Sequence, residues 1–149
     1  MKTAQLFQCQ IVGADAGMGM IQNADMMQAL GYNRFRQIMY VASNSGFSYD
    51  PDRNMITLAK TQAIDTVMGM LTNRFRPKGL SNGKPLEFIM PDYDDSRFFI
   101  DDILAEFEQE TKQGKKMWTH SSMKPDDTLH AITFGLYAYM HHRNQVSFY

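Results

Sequence analysis

Short apolar runs alternate along the chain with segments whose apolar residues recur at helical spacing, a pattern that predicts an α/β layer architecture. Residues 9–14 (CQIVGA) read as a buried strand ending at Asp15, Ala16, Gly17, Met18 and Gly19, a tight glycine-bearing turn. A short helix over 22–30 follows, with Gly31 where a helix C-terminal glycine belongs. Arg34 to Val41 is a second strand, and residues 42–56, rich in Ser, Asn, Asp, Gly and Pro, are expected to be loop. Ile64, Val67, Met68 and Leu71 share one face of a helix over about 61–74. After a loop over 76–85, Leu86 to Met90 forms a third strand. A helix over about 97–112 would bury Ile100, Ile103, Leu104 and Phe107, with Gly114 to stop it. Lys116 to Thr119 is a fourth strand. The last helix starts near Asp126, buries Leu129, Ile132, Leu136 and Met140, and ends in His141-His142-Arg143, which suits the negative end of a helix dipole.

Composition narrows the class. A length of 149 residues fits one domain spanning 1–149, and 44% hydrophobic residues suffice for a real core. The net charge of −1 excludes nucleic-acid binding by bulk positive charge, though not a local basic surface. A single cysteine, Cys9, excludes an intrachain disulfide framework and fits a reducing compartment. No apolar run approaches the ~20 residues that span a bilayer, and the N-terminus carries no leader pattern, so a cytoplasmic protein with no membrane partner is expected. The 13 methionines fall singly or in pairs and read as gap-fillers in the core.

Two acidic constellations carry candidate chemistry. Asp15 closes an apolar strand, where the strand fixes a carboxylate and the glycine turn leaves it open to a metal; the same residue could instead hydrogen-bond its own turn. Asp126 and Asp127 open the last helix, where one carboxylate suffices as a cap, and His130 lies three residues after Asp127 on a neighbouring surface. Asp101, Asp102, Glu106, Glu108 and Glu110 are expected to be solvated, and Asp94 or Asp95 to cap the helix that follows. The glycines around Asp15 match neither GxGxxG nor GxxxxGK[ST], and Gly83-Lys84 precedes a proline, so no nucleotide-phosphate loop is present. The basic residues, Arg34, Arg36, Lys60 and Lys124 among them, flank loops and element ends, and a handful gathered on one face would suffice for phosphate contacts.

Asp126-Asp127-Thr128-Leu129-His130-Ala131, followed by an apolar helix with Phe134, Gly135 and Tyr137, resembles the closing motif of phage large-terminase nuclease domains. Ile11-Val12-Gly13-Ala14-Asp15-Ala16-Gly17-Met18-Gly19 looks like the strand that carries another acidic residue of that site. Ile38-Met39-Tyr40-Val41, Tyr49-Asp50-Pro51, Lys60-Thr61 and Ile100-Asp101-Asp102-Ile103-Leu104 fall between them in the family's order, so the likeness covers almost all the chain.

The resemblance implies a partial ribonuclease H-like, three-layer fold, a short sheet between helices. It also implies a metal-dependent endonuclease that cuts concatemeric double-stranded DNA during genome packaging in the host cytoplasm. Two Mg²⁺ or Mn²⁺ ions would serve the phosphodiester displacement. Asp15 would be the strand ligand and Asp127 the helix ligand, with Asp126 as the competing assignment or the cap. His130 would be an adjacent ligand or a proton-transfer and orienting group, and Asp15 and Asp127 would come within metal-bridging reach. The family's ATPase half and first nuclease strands have no counterpart here, so the chain is expected to be the tail of a terminase. That missing part, the portal and the small terminase are the implied partners. Without the strand that pairs with it in the family, the 9–14 strand would present an apolar edge open to self-association. The alternative is a non-catalytic packaging or assembly module that keeps the fold and binds DNA or a partner subunit.

Overall fold

A computed structural model describes residues 4, 6, 8–17, 19–42, 46–72, 92–121 and 127–143. The protein is mixed α/β, with a four-stranded mixed sheet, helices and a separate two-stranded sheet. It divides into two compact units, one formed by Met1–Ala59 with Thr133–Tyr149 and the other by Lys60–Ile132. Among the described residues no helix is long and apolar enough to cross a membrane.

The first unit holds β1 (Val12–Asp15), α1 (Met20–Leu30), a 3₁₀ turn (Tyr32–Arg34), β2 (Phe35–Val41), β3 (Phe47–Asp50) and β4 (Met55–Ala59). The sheet order is β1-β2-β4-β3; β1, β2 and β4 run parallel, while β3 pairs antiparallel with β4. The 9–14 strand expected from sequence thus starts later, at Val12, and includes Asp15 as its last residue. Phe35, Ile38, Ile56 and Leu58 are fully buried. Phe35 and Ile38, of opposite parity on β2, are both sealed, so the strand is covered on both faces there. Phe35 packs with Ala4, Leu30, Val12 and Met26, whereas Ile38 and Tyr40 face the last helix, α4 (Asp127–His142), through Phe134. A Cβ on Gly13 would stand 2.5 Å from the Phe134 carbonyl oxygen, so only glycine lets the helix backbone lie this close to β1.

The loop expected over 42–56 is in part a hairpin, β3–β4, closed by Pro51–Asn54. Composition hid it, because turn-forming residues outnumber apolar ones there. Asn54 sits at φ 51 and is fully buried. Its Nδ2 donates to the carbonyls of Tyr32 (2.9 Å) and Phe35 (2.8 Å), and its Oδ1 accepts from the Tyr49 hydroxyl (3.0 Å).

The second unit holds α2 (Lys60–Leu71), α3 (Tyr93–Ile103), β5 (Glu106–Glu110), β6 (Lys116–His120) and the first turns of α4 up to Ile132. The helix expected over 97–112 is corrected: it stops at Ile103, and from Glu106 the chain is a strand antiparallel to β6. The period changes from 3.6 to 2 at that point, so Leu104 and Phe107 lie exposed rather than on a buried face. Asp102 and Glu106, expected to be solvated, are buried. Gly114, expected to stop the helix, takes φ 73 in the β5–β6 turn instead. Trp118 Nε1 donates to Asp65 Oδ1 at 2.6 Å and ties β6 to α2. The strand expected at Leu86 to Met90 and the loop over 76–85 lie outside the described residues, as do Asp126 and Lys124.

Candidate functional site

In the first unit, parallel pairing with β2 fixes Asp15 at the C-terminal end of β1, where it is exposed. The buried Asn23 side chain of α1 donates to the Asp15 carbonyl at 2.7 Å and holds the strand end in place. The carboxylate Oδ1 accepts the Gly17 N–H at 3.1 Å, an aspartate turn. A Cβ on Gly17 would stand 3.3 Å from Asp15 Oδ2, so glycine also keeps space open beside the carboxylate. The structure thus shows the turn hydrogen bond that the sequence allowed, with the carboxylate exposed.

The two arginines named for phosphate contact differ. Arg34 is exposed and donates to the Cys9 carbonyl at 2.7 Å. Arg36 is buried; it donates to His141 Nδ1 (3.1 Å) and to the carbonyls of Tyr32 (2.9 Å) and Phe35 (2.7 Å), and its guanidinium lies over the Tyr49 ring. Burial raises the Tyr49 hydroxyl pKa.

Burial first, then the Arg36 and His142 charges, hold His141 below the usual imidazole value of 6.5. The unfolded chain therefore takes up this proton at higher pH than the folded one. That part of the stability is complete above pH 6.5 and is lost as pH falls through the folded value. Urea midpoints should drop from pH 7.5 to pH 5, and His141→Gln, which keeps an acceptor for Arg36, should drop less. Equal drops in both proteins would contradict the assignment.

In the second unit, Asp127 is exposed in the first turn of α4, and Lys60 is half-buried at the start of α2. The Thr128 N–H at that helix start is taken at 2.8 Å by Asp102 Oδ2, reaching from α3. His130, one turn on, points Nε2 at Glu106 Oε1 across 3.8 Å, and His120 Nδ1 approaches the same oxygen at 3.3 Å. The Glu106 side chain is 0% exposed. Glu106 Oε2 and Asp102 Oδ1 have no hydrogen-bond partner among the described residues.

Sequence reasoning missed Asp102, Glu106 and His120. A signal existed: EFEQE and KMWTH flank a short glycine-bearing turn, and pairing them as a hairpin places Glu106 opposite His120 and Glu110 opposite Lys116.

Among the described residues no group of three or more His, Cys, Asp or Glu side chains is arranged to hold a metal ion. The carboxylates of Asp15 and Asp127 are both exposed and carry hard oxygen donors of the kind that Mg²⁺ and Mn²⁺ take. Comparison with protein-family models, curated proteins and solved structures finds no match for this chain.

Proposed function

We propose that this chain is a metal-dependent DNA endonuclease domain of the phage large-terminase type, ribonuclease H-like in fold, that cuts concatemeric DNA during genome packaging. The observation that carries the reading is Asp15, an exposed carboxylate at the C-terminal end of a parallel β1–α1–β2 unit. Ligands of open α/β sheets gather at such strand ends. In support, β1 has only β2 as a strand neighbour among the described residues, the place where the family's first strand would pair. Asp15 and Asp127, with Asp126 as the competing assignment, would hold Mg²⁺ or Mn²⁺. The bound ions would activate water and stabilise the leaving oxygen. Arg34, Lys60 and Lys124 would supply phosphate contacts. The guanidinium of Arg36 is committed within the first unit and would act by supporting β2.

The apolar outer edge of β1 favours a companion polypeptide, the N-terminal terminase part, or self-association. Portal and small terminase would then be further partners of the assembled machine.

The test is nicking of supercoiled plasmid by the full chain, with and without an N-terminal terminase fragment. Cleavage should require Mg²⁺ or Mn²⁺ and rise with the fragment. Asp15→Asn should cut it by about 100-fold, equivalent to roughly 3 kcal/mol of transition-state stabilisation. Metal-independent cleavage, or full activity of the variant, would contradict the reading. The hydrogen bond between Asp15 and its own turn favours a second reading, a non-catalytic packaging module. That module would bind double-stranded DNA without cutting it under any of these conditions.

A further inference from the structure

We propose that the outward face of α3 is a docking surface for a basic, amphipathic helix of a partner polypeptide. The inference concerns the second unit alone and does not depend on the nuclease reading.

Helical spacing sorts α3 into two faces. Ser96, Ile100 and Ile103, at i, i+4 and i+7, turn inward; Ser96 and Ile103 are buried and Ile100 is half-buried. Asp94, Phe98 and Asp101 lie on the opposite side, flanked by Asp95 and Arg97, and all five are exposed. Phe98 is 69% exposed and Phe99 48%, and their rings meet edge to face with centroids 5.6 Å apart. A lone exposed apolar residue needs no explanation, but two joined rings make a patch. Helix stability does not account for them, since phenylalanine is a poorer helix former than alanine or leucine. Such rings contribute when a partner removes them from water.

The charges select the partner. Asp94 and Asp95 stand in the first turn, where the helix dipole favours them, and among the described residues neither has an ion pair. Asp101 stands near the C-terminal end, where the dipole opposes a carboxylate. Its pair with Arg97, at 3.7 Å, is exposed on both sides and contributes little. Phe98 is thus rimmed by three carboxylates and one cation. That rim repels phosphate-rich surfaces, and a second copy of α3 would set carboxylate against carboxylate. An amphipathic helix with Lys or Arg beside its apolar stripe satisfies both the rings and the rim.

The test titrates the full chain into a labelled helical peptide of leucine and lysine at amphipathic spacing, read by fluorescence anisotropy. The wild-type chain should bind it, less tightly as salt rises, and should not bind the same peptide with glutamate for lysine. Phe98→Ala should weaken binding by about 10-fold or more, as loss of an interface anchor does, and Asp101→Asn by about 2–5-fold. Both residues are exposed, so thermal melts of the variants should match wild type. Ile21→Ala removes an apolar side chain of the first unit that is 77% exposed, and it should leave binding unchanged. Equal losses in Phe98→Ala and Ile21→Ala would show general stickiness and overturn the proposal. So would a wild-type chain that binds neither peptide or both alike. Self-association in light scattering that Phe98→Ala abolishes would give the face to a second copy and overturn the basic partner.

Discussion

Replacing Gly13 by valine should lower the melting temperature by roughly 5–10 °C, because overpacking a tight contact costs about 2–3 kcal/mol and each kcal/mol moves a chain of this size by about 2–4 °C. The first added atom, Cβ, would stand 2.5 Å from the Phe134 carbonyl oxygen and 2.9 Å from its carbon. Both are backbone atoms inside a helix, so neither can turn away as a side-chain tip would. Either α4 lifts from β1 or the strand bows, and either motion weakens the packing around Ile38, itself 3.1 Å from the same added atom. Gly135 of the same helix is the control, since nothing lies within 4 Å of a Cβ there. Gly135→Ala should raise stability by about 1 kcal/mol through helix propensity. Thermal melts of the two variants that moved in the same direction would show the close approach of α4 to β1 to be wrong.

Asn54→Ala should cost about 3 kcal/mol. Two contributions add: left-handed backbone at φ 51, which costs alanine about 1–2 kcal/mol, and the loss of hydrogen bonds worth about 1 kcal/mol each. The carbonyls of Tyr32 and Phe35 keep Arg36 as a donor, which limits the damage, but the Tyr49 hydroxyl loses its acceptor. Asn54→Gly separates the two contributions, since glycine accepts the backbone but makes none of the side-chain bonds. It should recover about 1 kcal/mol of the loss in urea unfolding. A glycine variant no more stable than the alanine one would mean that the backbone conformation costs nothing and that the bonds carry the whole effect.

Periodicity made most of the first unit legible. The strand ending at Asp15, the helix stopped by Gly31, the 35–41 strand and the long last helix all follow from apolar spacing and glycine placement. The β3–β4 hairpin escaped because its closing residue, Asn54, acts through three side-chain hydrogen bonds that composition does not reveal. The 97–112 region failed for a different reason. Ile100, Ile103, Leu104 and Phe107 satisfy a helical stripe by coincidence, while the backbone turns at Leu104–Ala105 and resumes as a strand. That error hid the buried Glu106, since a glutamate on a surface helix has no reason to be singled out. Asp127 and His130 could be singled out in the sequence, but the surroundings of that helix start could not: Asp102 takes the Thr128 N–H from α3 and Glu106 faces His130 from β5.

The proposed nuclease would need acidic side chains that bind a divalent ion. Titration calorimetry of Mn²⁺ into the full chain should give weak but saturable binding, with the heat lost in Asp15→Ala and in Asp127→Ala. Binding unchanged in both variants would place the metal elsewhere and contradict the account.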